Sequence, residues 1–241
     1  MKRYSRGLRA QVSYTLAKSI DDSSGINSQD FDNNVQYGID WYDPTYDRGP
    51  SAFQARHNLT FNWSWDVPAS SSLTGLAAGL LKGWQLNNVT TIQSGQPFTI
   101  RLGFNRSGNL NTTSFSMNER PNWNAGFTGD PVLGSPDGYL DLNAFSMPAA
   151  NTRGNMPRNA LTGPGLINSD LSLVKGFKLA PNRTLQVRLE AFNVFDRANF
   201  AIPSGRVVFT NAAGDVSPTF GRITSTTTTA RQVQLGLKYL F

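Results

Sequence analysis

Residues 58–67 read NLTFNWSWDV, and their order assigns a different solvent to each of two faces. Leu59, Phe61, Trp63, Trp65 and Val67 share one parity, and Asn58, Thr60, Asn62, Ser64 and Asp66 share the other. Successive side chains of a strand point to opposite faces, so one side of this segment is apolar and aromatic while the other is hydrophilic throughout. A helix would scatter both sets around its circumference. The segment, taken as residues 53–67, is therefore read as a strand.

The same period recurs five more times. In residues 7–20, Leu8, Ala10, Val12, Tyr14, Leu16 and Ile20 face away from Arg9, Gln11, Ser13, Thr15 and Ser19, with Lys18 breaking the pattern. In 83–100, Trp84, Leu86, Ile92 and Phe98 share a parity that Asn88 and Thr90 interrupt, as a bulge or a protein-covered face would require. In 167–179, Ile167, Leu171, Leu173, Phe177 and Leu179 alternate with polar residues, and Lys175 falls on the apolar parity, where it is expected to snorkel. Residues 184–195 carry Leu185, Val187, Leu189, Ala191 and Phe195, and residues 231–241 carry Val233, Leu235, Leu237, Tyr239 and Phe241.

Such strands suit a soluble sandwich, a soluble barrel or a membrane barrel, and the connections separate the three. They run 21–52, 68–82, 101–166, 180–183 and 196–228, alternating long and short. Membrane barrels have short periplasmic turns and long extracellular loops, whereas a sandwich has no reason for the alternation. The strand lengths also meet the roughly 9 to 11 residues a tilted membrane strand needs. Trp63, Trp65, Trp84, Tyr239 and Phe241 fall where the periplasmic aromatic girdle belongs. The expected fold is all-β: an antiparallel transmembrane β-barrel, with lipid against its apolar face.

Six strands are fewer than the eight of the smallest single-chain outer-membrane barrels. The start, MKRYSRGLRAQVSY, is basic but has no apolar block, so no signal peptide is read there. Residues 1–241 are accordingly expected to be the C-terminal segment of a larger barrel, without plug domain or signal peptide.

Composition narrows the function classes. The chain has no cysteine, which removes disulfides, thiolate metal sites and cysteine nucleophiles. Its longest helix-like apolar stretch, LTGLAAGLL at 73–81, is far short of a helical span of roughly 20 residues. The net charge is +6, but the 22 basic residues are scattered, so nucleic acid is not an expected partner. One histidine, His57, would have to serve any catalytic triad, and its parity places it with Leu59 and Phe61 at the outer rim. Neither catalysis nor a cofactor is expected.

The segments LQVRLEAFNVFDRANF (185–200) and ARQVQLGLKYLF (230–241) resemble the C-terminal end of TonB-dependent outer-membrane receptors, with Asn193–Asp196 similar to the family's Asn-Leu-Phe-Asp. RHNLTFNWSWDVP (56–68), GWQLNNVTTIQSGQPFTI (83–100) and NALTGPGLINSDLSLVKGF (159–177) resemble the Oar-like receptors of soil bacteria such as acidobacteria. The resemblance implies a 22-stranded barrel in the outer membrane of a Gram-negative bacterium, with a plug and energised uptake through the TonB complex. This chain departs from that pattern in lacking the plug, the TonB box and most strands, so TonB would be engaged only through the full-length receptor. The resemblance also makes Tyr239 and Phe241 the signal for the barrel-assembly machinery.

The first long loop interleaves Asp21, Asp22, Asp30, Asp32, Asp40, Asp43 and Asp47 with Phe31, Tyr37, Trp41, Tyr42 and Tyr46. Its spacing matches no calcium loop, so it is read as a solvated acidic loop. Tyr37, Trp41, Tyr42, Tyr46 and, in the second loop, Trp123 are the candidate ligand contacts at the extracellular mouth. Phe104, Phe115, Phe127, Tyr139 and Phe145 imply that the second loop packs on something. Parity places Arg9, Arg56, Asp66, Arg188 and Glu190 toward the lumen or plug.

Overall fold

In a computed structural model, residues 2–5, 7–24, 42–108 and 119–241 are described. Seven strands form one sheet: β1 (Lys2–Ser5), β2 (Leu8–Leu16), β3 (His57–Asp66), β4 (Trp84–Gln93), β5 (Leu166–Ala180), β6 (Arg183–Phe192) and β7 (Gln232–Leu240). Each pairs antiparallel with its neighbour in sequence, giving an up-and-down order with β1 and β7 at the edges. The sheet is open. Six of the strands are those read from alternation, and β1 is an addition: four residues, Lys-Arg-Tyr-Ser, are too short and too polar to display a period.

Several strands are shorter than their sequence pattern. β4 stops at Gln93, where Ser94, Gly95 and Pro97 interrupt the ladder, so Phe98 leaves the wall and enters a core described below. β6 stops at Phe192, because Asn193 and Asp196 take positive φ angles of 48° and 51° and turn the chain. The Asn-Val-Phe-Asp element is thus a clamp. The Asn193 side chain donates to the carbonyls of Arg197 and Thr229, and Asp196 accepts the backbone N–H of Arg231, so the turn after β6 also fixes the approach to β7.

Register aligns the apolar residues into one continuous face. Val12 pairs with Phe61, Tyr14 with Leu59, Leu59 with Ile92, Leu173 with both Leu86 and Leu189, and Leu189 with Leu235. Among the described residues no second sheet covers this face: Val12 is 64% exposed, Leu235 74% and Leu237 72%. A soluble sandwich would bury these rows against each other. Here they point outward together, as a wall against lipid requires.

The interruption of β4 has a local explanation that differs from either expected one. There is no bulge, and register with β3 and β5 is unbroken. Asn88 instead donates to the Ser169 hydroxyl (2.8 Å) and the Asp170 carbonyl (2.9 Å), while the Thr90 hydroxyl donates to Asn88 Oδ1 (2.9 Å). The polar groups satisfy one another, which is the condition for placing them on an apolar face. Lys175 does not extend freely to the interface: it is buried between the rings of Trp84 and Phe177, with Nζ donating to the Lys82 carbonyl.

All three long connections leave one end of the sheet and the short ones leave the other. The short end carries Trp63, Trp65, Trp84 and the stacked pair Tyr239 and Phe241, whose rings lie 5.8 Å apart. It also carries α1 (Gly75–Leu81), whose Leu76, Leu80 and Leu81 are exposed beside the Trp84 indole that donates to the Leu80 carbonyl. No helix among the described residues is long and apolar enough to cross a membrane.

An arginine at position 235, mid-wall, is expected to cost about 2–4 kcal/mol of folding into lipid, whereas Gln234→Arg on the opposite face costs little. Urea titration of the whole protein refolded into vesicles measures the difference, and equal costs would contradict the two-sided wall.

Candidate functional site

The described parts of the three long connections fold into a single cap with a core of its own. Phe98, Ile100, Leu102, Tyr139, Leu140, Ala144, Phe145, Met156, Leu161 and Val208 are buried together, with Phe104, Trp123, Phe127, Ile202 and Phe220 packed around them. Burial of each large side chain there contributes about 1.5–3 kcal/mol. The second loop therefore packs chiefly on itself and on the third. Short strand pairs give it shape: Pro97–Phe98 with Leu161–Thr162, Asn122–Trp123 with Phe145–Ser146, and Val132–Ser135 with Gly138–Leu140. The third loop joins through the Arg101–Val207 bridge and the Ile223 N–H donating to the Pro136 carbonyl.

Two arginines bind the first loop to the second. Arg120, fully buried, donates to Asp47 Oδ1 at 2.7 Å and to the Tyr46 carbonyl at 2.8 Å, with its guanidinium 3.9 Å from the centre of the Tyr46 ring. Arg158, also buried, donates to the backbone carbonyls of Asp47 and Asp21, to the Ser24 hydroxyl and to the Asp21 carboxylate. Planar forks with several donors suit such convergent acceptors, and lysine could not replace them. The backbones approach closely here, so that a Cβ on Gly154 would lie 1.9 Å from the Arg120 carbonyl. Asn159 completes the joint, donating to the Pro50 carbonyl and accepting from Thr99.

The reading of a solvated acidic loop is corrected at these positions. Asp47 is buried against Arg120 and Asp21 is held by Arg158, because the second loop brings cations that the first loop's own sequence does not reveal. Asp43 accepts the Thr45 N–H and starts the 3₁₀ turn Pro44–Asp47. Asp30, Asp32 and Asp40 lie outside the described residues.

Among the candidate contacts, Tyr37 and Trp41 lie outside the described residues, as does Phe115. Tyr46 donates its hydroxyl to the Gly154 carbonyl (2.8 Å), and burial pushes its phenol above the ordinary value against the opposing pull of Arg120. Trp123 stacks on Phe145 at 5.6 Å. Tyr46 and Trp123 thus have partners within the cap, and Tyr42 is 99% exposed. His57 lies on the lipid-facing parity at the rim, with its Nδ1 2.8 Å from the Tyr14 hydroxyl. Arg120 and Arg158, which organise the cap, were illegible in sequence: each stands alone in a Gly- and Asn-rich loop without a periodic neighbour.

The opposite face of the sheet is mostly polar, with Val89 and Val174 set among its hydrophilic side chains. Gln85 donates to Asp66 at 2.7 Å, Asn168 to Asp170 at 3.0 Å, and Arg188 pairs with Glu190 at 3.1 Å. Asn58 Oδ1, Asn62 Oδ1 and Ser172 Oγ, on this same face, have no hydrogen-bond partner among the described residues. Arg9 lies on this face, paired in register with Ser64, whereas Arg56 precedes β3 at the base of the cap.

Replacing Arg120 by alanine leaves Asp47 buried without its cation and is expected to destabilise the cap by about 3–5 kcal/mol, read as a lowered unfolding midpoint by circular dichroism. Acid gives a second test. Burial raises the Asp21 pKa, but hydrogen bonds from Arg158, Ser51 and Ser24 outweigh it and hold the carboxyl below its ordinary 3.8. A depressed pKa stabilises the fold above the unfolded value, and that contribution disappears as pH falls through the folded one. Cap stability should therefore fall below pH 3.8, and Asp21→Asn should flatten this dependence. An unchanged acid limb in that variant would contradict it.

A family model described as an outer membrane beta barrel domain matches residues 1–234. No curated protein and no solved structure matches the chain. The match agrees with a wall that is apolar on one face, polar on the other and capped at the long-loop end, and it places the protein in the outer membrane of a Gram-negative bacterium. The chain belongs to the outer membrane beta barrel domain family.

Proposed function

We propose that the chain forms part of the barrel of a TonB-dependent outer-membrane transporter of the Oar-like type, contributing to uptake in the full-length protein, and that it is not an enzyme. The observation that carries this reading is the inner face. Among the described residues, Asn58, Asn62 and Ser172 leave polar atoms without partners on a surface lined by Arg9, Asp66, Gln85, Arg188 and Glu190. A narrow barrel fills its interior with its own side chains, whereas unsatisfied groups of this kind call for water or a polar plug in a wide lumen. The open edges at β1 and β7 need partner strands, because a backbone exposed to hydrocarbon cannot remain unpaired. In this reading those strands and the plug belong to the remainder of a 22-stranded barrel. Tyr239 and Phe241 present the assembly signal, and Tyr42 with the neighbouring Tyr37 and Trp41 contacts substrate at the mouth.

A second reading, an adhesion or structural barrel that displays surface loops, draws support from the cap, whose loops are bound to one another by Arg120 and Arg158. Contact with TonB separates the two. Site-specific cross-linking in cells should join the full-length protein to the periplasmic domain of TonB, and dissipating the proton-motive force should abolish accumulation of its cargo. A protein that never cross-links to TonB, yet retains surface binding in de-energised cells, would overturn the transport reading in favour of adhesion.

A further inference from the structure

Where the lipid-facing wall ends beneath the cap, three cations surround a hollow of about 620 Å³: Lys18, Arg48 and Arg56, with Leu16 and Ile20 supplying its apolar side. Beyond the end of β2, Ile20 pairs with Pro50 and Asp21 with Gly49, and Leu16, Lys18, Ile20 and Arg48 line one hollow beside this pairing. The inward-facing neighbours Asp21 and Asp47 are occupied by Arg158 and Arg120. Among the described residues none of the three cations has an ion-pair or side-chain hydrogen-bond partner, and all three are exposed. Two carboxylates, Asp21 and Asp22, line the adjoining hollow with Arg48; Asp21 is held by Arg158, so among the described residues the three cations face only Asp22 and positive charge is in excess.

We propose that this hollow binds the phosphate of an acidic lipid headgroup in the outer leaflet, with the acyl chains descending over Leu16, Tyr14 and Val12. Two features select a lipid over a free anion. The cations stand directly above a row of exposed apolar side chains that is already the lipid-facing surface, so headgroup and tail sites are continuous. The hollow is also half apolar, through Leu16, Ala17, Ile20 and Pro50, which a free phosphate would not use. Clustered Lys and Arg at a membrane surface attract anionic headgroups, and each cation multiplies the affinity roughly fivefold. The inference depends on the outer-membrane assignment alone and is independent of transport.

The test uses the whole protein extracted from membranes and placed in nanodiscs of equal phosphatidylcholine and phosphatidylglycerol, with retained lipids counted by native mass spectrometry. Phosphatidylglycerol should be retained preferentially. Lys18→Gln, Arg48→Gln and Arg56→Gln should each weaken that preference roughly fivefold, whereas Lys238→Gln on the polar face should not. Because all three side chains are exposed, heat-modifiable migration should confirm that the variants fold. Should the Lys18 or Arg56 variant misfold, Arg48→Gln alone decides the matter. Equal retention of both lipids, a preference unchanged in the variants, or displacement of phosphatidylglycerol by equimolar inorganic phosphate would each overturn the proposal.

Discussion

The structure depends on one constraint: in hydrocarbon a peptide group must be paired, and a side chain must be apolar or satisfied by its neighbours. The seven-stranded sheet meets the first demand by registers that run from β2 to β7 with one shift, between Lys178 and Ala180 at the β5–β6 turn, and the second by keeping polar residues on the opposite parity. The exception on the apolar face supports the rule. Asn88, Thr90 and Ser169 sit there only because they bond to one another and to the Asp170 carbonyl.

From that constraint follows an inverted distribution of core. In a soluble domain the strands would supply the hydrophobic centre, but here their apolar side chains are spent on lipid. The buried core lies in the connections instead, around Phe98, Phe145 and Met156, and is reinforced by arginines that no water reaches. Long polar loops of this kind would ordinarily be mobile. Here the described parts of these loops pack together at one end of the wall, with the clamp at Asn193 and Asp196 tying the third loop to the last two strands.

The wall was legible in sequence because its signal is periodic and local. Leu59 to Trp65 and Val233 to Tyr239 state their faces without reference to any distant residue. What escaped was non-local. Nothing near Arg120 or Arg158 indicates that each will meet an aspartate some 70 or 140 positions away, and Phe98 continues a strand parity although Gly95 and Pro97 have already ended the strand. β1 escaped for the opposite reason, being too short to establish a period. Tyr46 and Trp123 are candidate contacts by aromatic character alone, which does not distinguish a ring that binds a ligand from one that packs under an arginine or on Phe145.

The most direct measurement of the two-sided wall is spin-label accessibility along β3 and β7 in the protein reconstituted in lipid. Labels at Phe61, Val233 and Leu235 should be relaxed by oxygen and shielded from a water-soluble nickel chelate, with the order reversed at Asn62 and Gln234. Uniform chelate access on both parities, or shielding of the apolar row from oxygen and chelate alike, would mean that these residues face water or protein rather than lipid.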